Sequence, residues 1–201
     1  MVKLKISLFL FFILLVLCKL SAQEVNPIEA NNKMEFYGGL NHQHHEYYNK
    51  VFSFQGIEGG AILEHHYLFG VYGSTFVSSL EVDINNAATF LQMWQGGLMT
   101  GIMTDNRKFL HAGLLFNIGY ISIVGDETNF PLFKVDNPSI RMGGLILDPQ
   151  LFTELNVTKW MKIRTGLAYD FYGFKDQSLI KKSDLQSISF NFGFLFGSFT
   201  K

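Results

Sequence analysis

The sequence predicts an all-β chain: an eight-stranded antiparallel up-and-down transmembrane β-barrel with short periplasmic turns and long outer loops. Three observations predict it. Apolar and aromatic residues recur at every second position, the connections between those segments alternate short and long, and an export leader precedes them. The composition agrees. Of 201 residues, 48% are hydrophobic and 16% charged, with 21 Phe, 8 Tyr and 19 Gly, whereas a disordered chain would be poor in aromatics and rich in charge. A formal net charge of -1 argues against a nucleic-acid partner. The single cysteine, Cys18, excludes a disulfide framework and a thiolate zinc cluster.

Residues 1–22 read as a secretory signal peptide. Lys3 and Lys5 form a basic start, an apolar run extends from Ile6 to Leu17, and Ser21-Ala22 supply small residues before Gln23. A run of about a dozen residues is short for a helix that must cross ~30 Å of hydrocarbon at ~1.5 Å per residue. An uncleaved anchor is one alternative. A lipoprotein is another, although Leu17, not a small residue, precedes Cys18. The expected organisation is a signal peptide at 1–22, an N-terminal periplasmic segment at 23–33 and the barrel at 34–201. Cleavage after Ala22 leaves no cysteine, so stability must come from a closed hydrogen-bond network or a large buried surface.

The final segment alternates most clearly: Ile188, Phe190, Phe192, Phe194 and Phe196 share one face, opposed to Ser187, Ser189, Asn191, Gly193 and Gly197, with Leu195 against the pattern. In 161–171, Met161, Ile163, Leu167, Tyr169 and Phe171 oppose Lys162, Arg164, Gly166 and Asp170. In 145–155, Leu145, Leu147, Leu151 and Leu155 oppose Asp148, Gln150 and Glu154. In 109–121, Leu110, Leu114, Phe116, Ile118 and Tyr120 oppose His111, Gly113, Asn117 and Gly119. Ile57, Ala61 and Leu63 oppose Gly56, Glu58, Gly60 and Glu64, and Tyr67, Phe69 and Val71 oppose Gly70, Tyr72 and Ser74. Two segments are weaker. In 90–102 the apolar face is Trp94, Leu98 and Ile102, with Gln92 against the register, and 34–40 is short, with Phe36 and Leu40 opposed to Glu35 and Tyr37. Together they make eight strands of roughly seven to fifteen residues, where a tilted transmembrane strand requires about 9–11.

The connections at 41–50, 78–88, 124–139 and 174–186 read as long loops, and those at 64–66, 104–108 and 156–160 as short turns. That asymmetry is the mark of an outer-membrane barrel, with the short turns in the periplasm. Centring the last short turn on Thr158 places Glu154 opposite Lys162, Leu155 opposite Met161 and Thr153 opposite Ile163, so the two separately assigned faces match.

A soluble barrel or sandwich also alternates, but with its apolar face inside. Here the charged face is studded with glycines (Gly56, Gly60, Gly113, Gly119, Gly166, Gly193), which suits a narrow lumen better than a solvated surface. The apolar face is therefore expected to meet lipid, and the barrel must close because no backbone polar group can stay unbonded in hydrocarbon. The lumen is expected to hold a mutually paired network of Glu58, Glu64, Asp148, Glu154, Lys162, Arg164 and Asp170 that blocks bulk flow, because unpaired buried ions cost several kcal/mol each.

With its leader, eight alternating segments and Phe-rich terminal strand, the chain resembles the small outer-membrane β-barrel proteins of Gram-negative bacteria, the OmpA/OmpX-like porin family. The stretch from Leu147-Asp148-Pro149-Gln150 to Asn156-Val157-Thr158-Lys159-Trp160 is similar to that group's penultimate hairpin. The resemblance implies outer-membrane lipid and the barrel-assembly machinery as partners, with a terminal aromatic, here Phe199, as the assembly signal. Thr200 and Lys201 follow it, so the signal is shifted from the family's last position.

Chemistry-bearing residues are sparse. His42, His44 and His45, beside Glu46, could hold a transition metal if a rigid loop gathered them, yet the same residues also read as a solvated loop. Some barrels of the resembled group modify lipid A, but Ser74, Ser78, Ser79 and His111 show no triad spacing. No catalytic residue and no cofactor is assigned. The function expected is non-enzymatic, structural or surface-interacting, with the long loops as the contact surface for a ligand. A small-solute channel, a lipid A-modifying enzyme and a soluble periplasmic binder remain the alternatives.

Overall fold

Every alternating segment forms a strand. A computed structural model of the chain describes residues 34–47, 50–77, 80–84, 87–126, 140–173 and 186–199. The expected signal peptide and the 23–33 segment lie outside these residues, as do Ser78, Ser79 and most of the 124–139 and 174–186 connections. The strands are β1 (Met34–Tyr47), β2 (Lys50–Leu63), β3 (Tyr67–Phe76), β4 (Leu80–Ile84), β5 (Ala87–Met103), β6 (Leu110–Asp126), β7 (Ile140–Asn156), β8 (Met161–Tyr169), β9 (Phe171–Gly173) and β10 (Ile188–Gly197).

These ten strands fill eight positions of one closed antiparallel barrel. The sheet runs β3-β2-β1-β10-β8-β7-β6-β5, and pairing of β3 with β5 shuts the cylinder. β4 extends the position of β3 by pairing with the outer part of β5, and β9 extends that of β8 along β7. The β7 ladder is interrupted at Asp148 and Pro149, level with Asp170 and Tyr169, and Pro149 has no N–H to give to it.

The registers fix the barrel's geometry. His44 faces Phe190, Phe190 faces Leu167, Leu167 faces Leu151, Leu151 faces Leu114, Leu114 faces Ile102, Ile102 faces Tyr67, Tyr67 faces Leu63 and Leu63 faces Met34. One circuit thus returns to β1 ten residues from where it began. For eight strands that stagger demands a tilt of about 40°. Each residue then climbs about 2.5 Å along the axis, so an apolar band ~25 Å tall takes about ten residues. β5, β6 and β7 have 17 residues each and reach well past such a band.

The outward face carries that band. Phe36, Leu40, Ile57, Phe69, Val71, Leu98, Ile118, Leu145, Phe190 and Phe194 are all exposed. Near its long-loop edge Trp94 and Tyr120 lie 6.2 Å apart, and near its short-turn edge Trp160 stacks on Phe196 at 6.1 Å. Above Trp94 and Tyr120 the hydrophobic phase reverses. Leu91, Met93, Ile121 and Ile123 point inward and are buried. Gln92, which stood against the register in sequence, simply points outward where the barrel leaves the apolar band.

Three sequence expectations are corrected. First, 41–50 is not a loop, since β1 runs to Tyr47 and pairs with β2 from Lys50. Second, 78–88 holds β4 and the start of β5 instead of a plain loop. Third, the β7–β8 hairpin is two residues out of the expected register. Glu154 faces Arg164, Thr153 faces Thr165, Leu155 faces Ile163 and Asn156 faces Lys162. The turn is centred one residue later, with the Val157 and Thr158 N–H groups donating to the Met161 carbonyl and the Trp160 N–H to Thr158 Oγ1. A slip of two keeps every side chain on its assigned face, so the pattern could not detect it.

The short-turn rim is tied together by side chains. Asn106 donates to Glu35 at 2.7 Å, and Asn156 donates to the carbonyls of Asn106 and Lys108 at 2.7 and 2.6 Å. Hydrogen bonds from Arg107 hold the Asp105 carboxyl down at about 2. This clamp contributes fully above the ordinary value of 3.8 and is lost only as the pH falls through about 2.

Candidate functional site

The lumen is the candidate site, and it is layered. Nearest the short turns, Glu154 is fully buried among three basic side chains. Arg164 Nε donates to Glu154 Oε1 at 2.7 Å, His111 Nε2 lies 2.7 Å from Oε2, and Lys162 Nζ lies 3.7 Å from the same oxygen. Arg164 also donates through Nη1 to Glu58 Oε1 at 2.5 Å, and Asn41 donates to Glu58 at 3.3 Å. The guanidinium sits over the rings of Phe152 and Tyr37, 5.0 and 5.7 Å from their centroids. The network therefore links β1, β2, β6, β7 and β8 across the bore.

Above it lies a cavity of about 20 Å³, lined by Asn41, Glu58, Tyr72, Asn117, Gln150 and Asn191 among others. That is room for roughly one water molecule. A Cβ at Gly119 would stand 2.7 Å from the Tyr72 hydroxyl, so only glycine lets that ring lie across the bore. Next comes a second polar layer. His45 Nδ1 is 2.6 Å from Asp170 Oδ2, Gln95 donates to Gln43 at 3.1 Å, and Asn117 donates to Asp148 at 3.0 Å. Toward the long-loop end lies a buried apolar cluster that includes Phe52, Phe54, Phe76, Met93, Ile121, Ile123 and Tyr172.

Of the seven charges read from sequence, Glu58, Asp148, Glu154, Lys162, Arg164 and Asp170 point inward, but as two groups rather than one network. Glu64 does not join them. It is exposed in the turn after β2 with φ of 50°, because the strand ends at Leu63 and the alternation stops with it. Substituting Glu64→Ala should change stability by no more than about 0.5 kcal/mol, as for any isolated surface side chain, readable as an unmoved urea midpoint in detergent.

The histidines do not converge. As alternate residues of a strand, His42 and His44 share the outer face, their rings 4.5 Å apart, while His45 points inward to Asp170. Among the described residues no cluster of three metal-ligating side chains forms. His44 Nδ1 meets Ser53 Oγ at 3.0 Å, while Ser74 is buried inside and His111 is engaged by Glu154. Phe199 turns into the bore instead of outward, 4.3 Å from Lys162 Nζ, with its N–H donating to the Lys159 carbonyl. Sequence reasoning missed Asn41, Gln43, His45 and Gln95 as lumen residues. The signal for three of them was the unbroken period of two from Glu35 through His45.

A closed eight-stranded barrel with an apolar outer band and a polar, packed bore has the architecture of the small outer-membrane barrels, the OmpA/OmpX-like fold. The solved structures agree. The chain is similar to Neisserial surface protein A, NspA, with a TM-score of 0.59 at 12% identity over 81% of this chain and 96% of that one. It is also similar to Ail, the attachment invasion locus protein of Yersinia pestis, solved in complex with the heparin analogue sucrose octasulfate, with a TM-score of 0.51 at 8% identity over 82% of this chain and 97% of that one. No protein-family model matches the sequence, and no curated protein matches it.

Proposed function

We propose that this protein is a non-enzymatic barrel of the bacterial outer membrane, exported by its leader, with a plugged lumen and a surface-interacting role carried by the long outer connections. The observation that carries the reading is the pairing of an outward apolar band with a bore that holds packed side chains toward both ends. The cluster of Phe52, Phe54 and Phe76 lies toward one end, and the Glu154–Arg164–Glu58 pairs with Phe199 lie toward the other. A bore filled by side chains leaves the parts outside the membrane as the surface for partners. Ail, a barrel of the same fold, is by name an attachment protein, which supports a surface role here. Outer-membrane lipid is the partner of the aromatic band, and the assembly machinery is a partner during insertion.

Fractionation is expected to place the protein in the outer membrane, and its gel mobility should change on boiling. Purified protein in a planar bilayer should show no large, steady openings. Recovery in the soluble fraction would end the membrane reading, sustained conductance would end the plugged reading, and a mass shift of lipid A on expression would end the non-enzymatic one.

A further inference from the structure

Asp148 and Asp170 oppose each other at the break between β8 and β9. The pairs on either side, Gln150 with Ala168 and Leu147 with Phe171, bring them level, and both are buried. Like charges at opposed positions repel, and two carboxylates sharing a dry site cannot both stay ionised without a compensating charge. The bore above them is apolar, lined by Phe54, Ile121, Ile146 and Tyr172. Among the described residues no lysine or arginine pairs with either acid, because Lys162 and Arg164 are held lower down by Glu154 and Glu58.

The groups facing the pair are few. From β1, His45 Nδ1 lies 2.6 Å from Asp170 Oδ2. From β9, the Tyr172 hydroxyl donates to that oxygen at 3.4 Å. From β6, Asn117 donates to Asp148 Oδ2 at 3.0 Å. From β3, the buried Tyr72 hydroxyl lies in the field of both acids and has no hydrogen-bond partner. One oxygen of each carboxylate, Asp148 Oδ1 and Asp170 Oδ1, is likewise buried without a partner. One proton answers both needs. Carried by either carboxyl, it removes a negative charge and turns an unpartnered acceptor oxygen into a donor.

We propose that Asp148 and Asp170 form a proton-binding site at the β8–β9 break, and that release of its proton to water loosens β9 and the start of β10. Asp170 is the joint between these pieces. Its side chain binds β1 through His45, and its backbone N–H donates to the Ser187 carbonyl at 3.1 Å, just before β10 begins. With the proton lost, repulsion between the acids acts where the ladder of β7 is already interrupted.

The test uses the full-length protein purified in detergent. Infrared difference spectra at neutral pH should show the C=O stretch of a protonated carboxylic acid, absent at alkaline pH and absent in Asp148→Asn. Hydrogen exchange at Phe171–Gly173 and Ile188, corrected for the intrinsic rate, should quicken by about tenfold as the proton leaves, the factor that ~1.4 kcal/mol of repulsion sets. In Asp148→Asn these amides should stay protected at alkaline pH. A wild-type spectrum with no protonated-carboxyl band at neutral pH would overturn the proposal, whether or not the variant folds. So would a variant whose protection falls with pH as the wild type's does.

Discussion

Replacing Arg164 by methionine is expected to destabilise the barrel by about 3–5 kcal/mol, the usual cost of removing one partner from a buried ion pair. Arg164 is buried and bridges Glu154 on β7 and Glu58 on β2, strands that do not pair with each other. Among the described residues its loss leaves Glu58 with the weak Asn41 hydrogen bond at 3.3 Å and Glu154 with Lys162 and His111. The methionine is of similar length, so lost packing against Phe152 and Tyr37 is a minor part of the effect. The measurement is the urea midpoint of refolding in detergent or lipid. Adding Glu58→Gln and Glu154→Gln to Arg164→Met should recover much of the loss, because the penalty is uncompensated charge and not an absent contact. A loss below about 1 kcal/mol for the single variant would mean that water enters the bore and solvates the two acids, and the plugged lumen would have to be given up.

Leu98→Arg is expected to cost about 2–4 kcal/mol in a bilayer, as a cation does near the midplane on a barrel's lipid face. Leu98 is 67% exposed and lies between Val71 and Ile118 on the outer surface. On a water-facing surface the same change would stay within about 0.5 kcal/mol. Gln55→Arg is the matched control. Gln55 is also exposed on the outward face, but where the apolar band gives way to Ser53 and His44 on β2 and β1. There the cost should fall to about 0–1 kcal/mol. Equal, small effects at both positions would show that water, not lipid, touches the Phe- and Leu-bearing side of the sheet.

The faces were legible because alternation is a local property of the strand. Phe190, Phe192, Phe194 and Phe196 point one way whatever their strand pairs with, and the structure exposes all four while burying Ser189, Asn191 and Leu195. Lys162, Arg164, Glu154 and Asp148 were assigned inward on the same ground, and are buried. The 41–50 stretch was misjudged because polarity was read as a loop signal. His42, Gln43, His44 and His45 are polar on both faces, since β1 there has left the apolar band outside and lines the polar layer within. The reversal of phase above Trp94 and Tyr120 was in the sequence too, as Leu91, Met93, Ile121 and Ile123, but it reads as noise until the height of the membrane edge is known.

By itself, then, the chain determined that its strands alternate, which side of each is apolar, and that its hairpins are joined by short turns on one rim. These follow from the period of the extended backbone and from local turn chemistry. Pairing partners within a face, the stagger of ten residues around the barrel and the separation of the lumen charges into two layers were decided only in three dimensions. The reason is that a shift of two leaves every local preference unchanged. Closure of the cylinder selects among those shifts, and with them whether Glu154 meets Lys162 or Arg164.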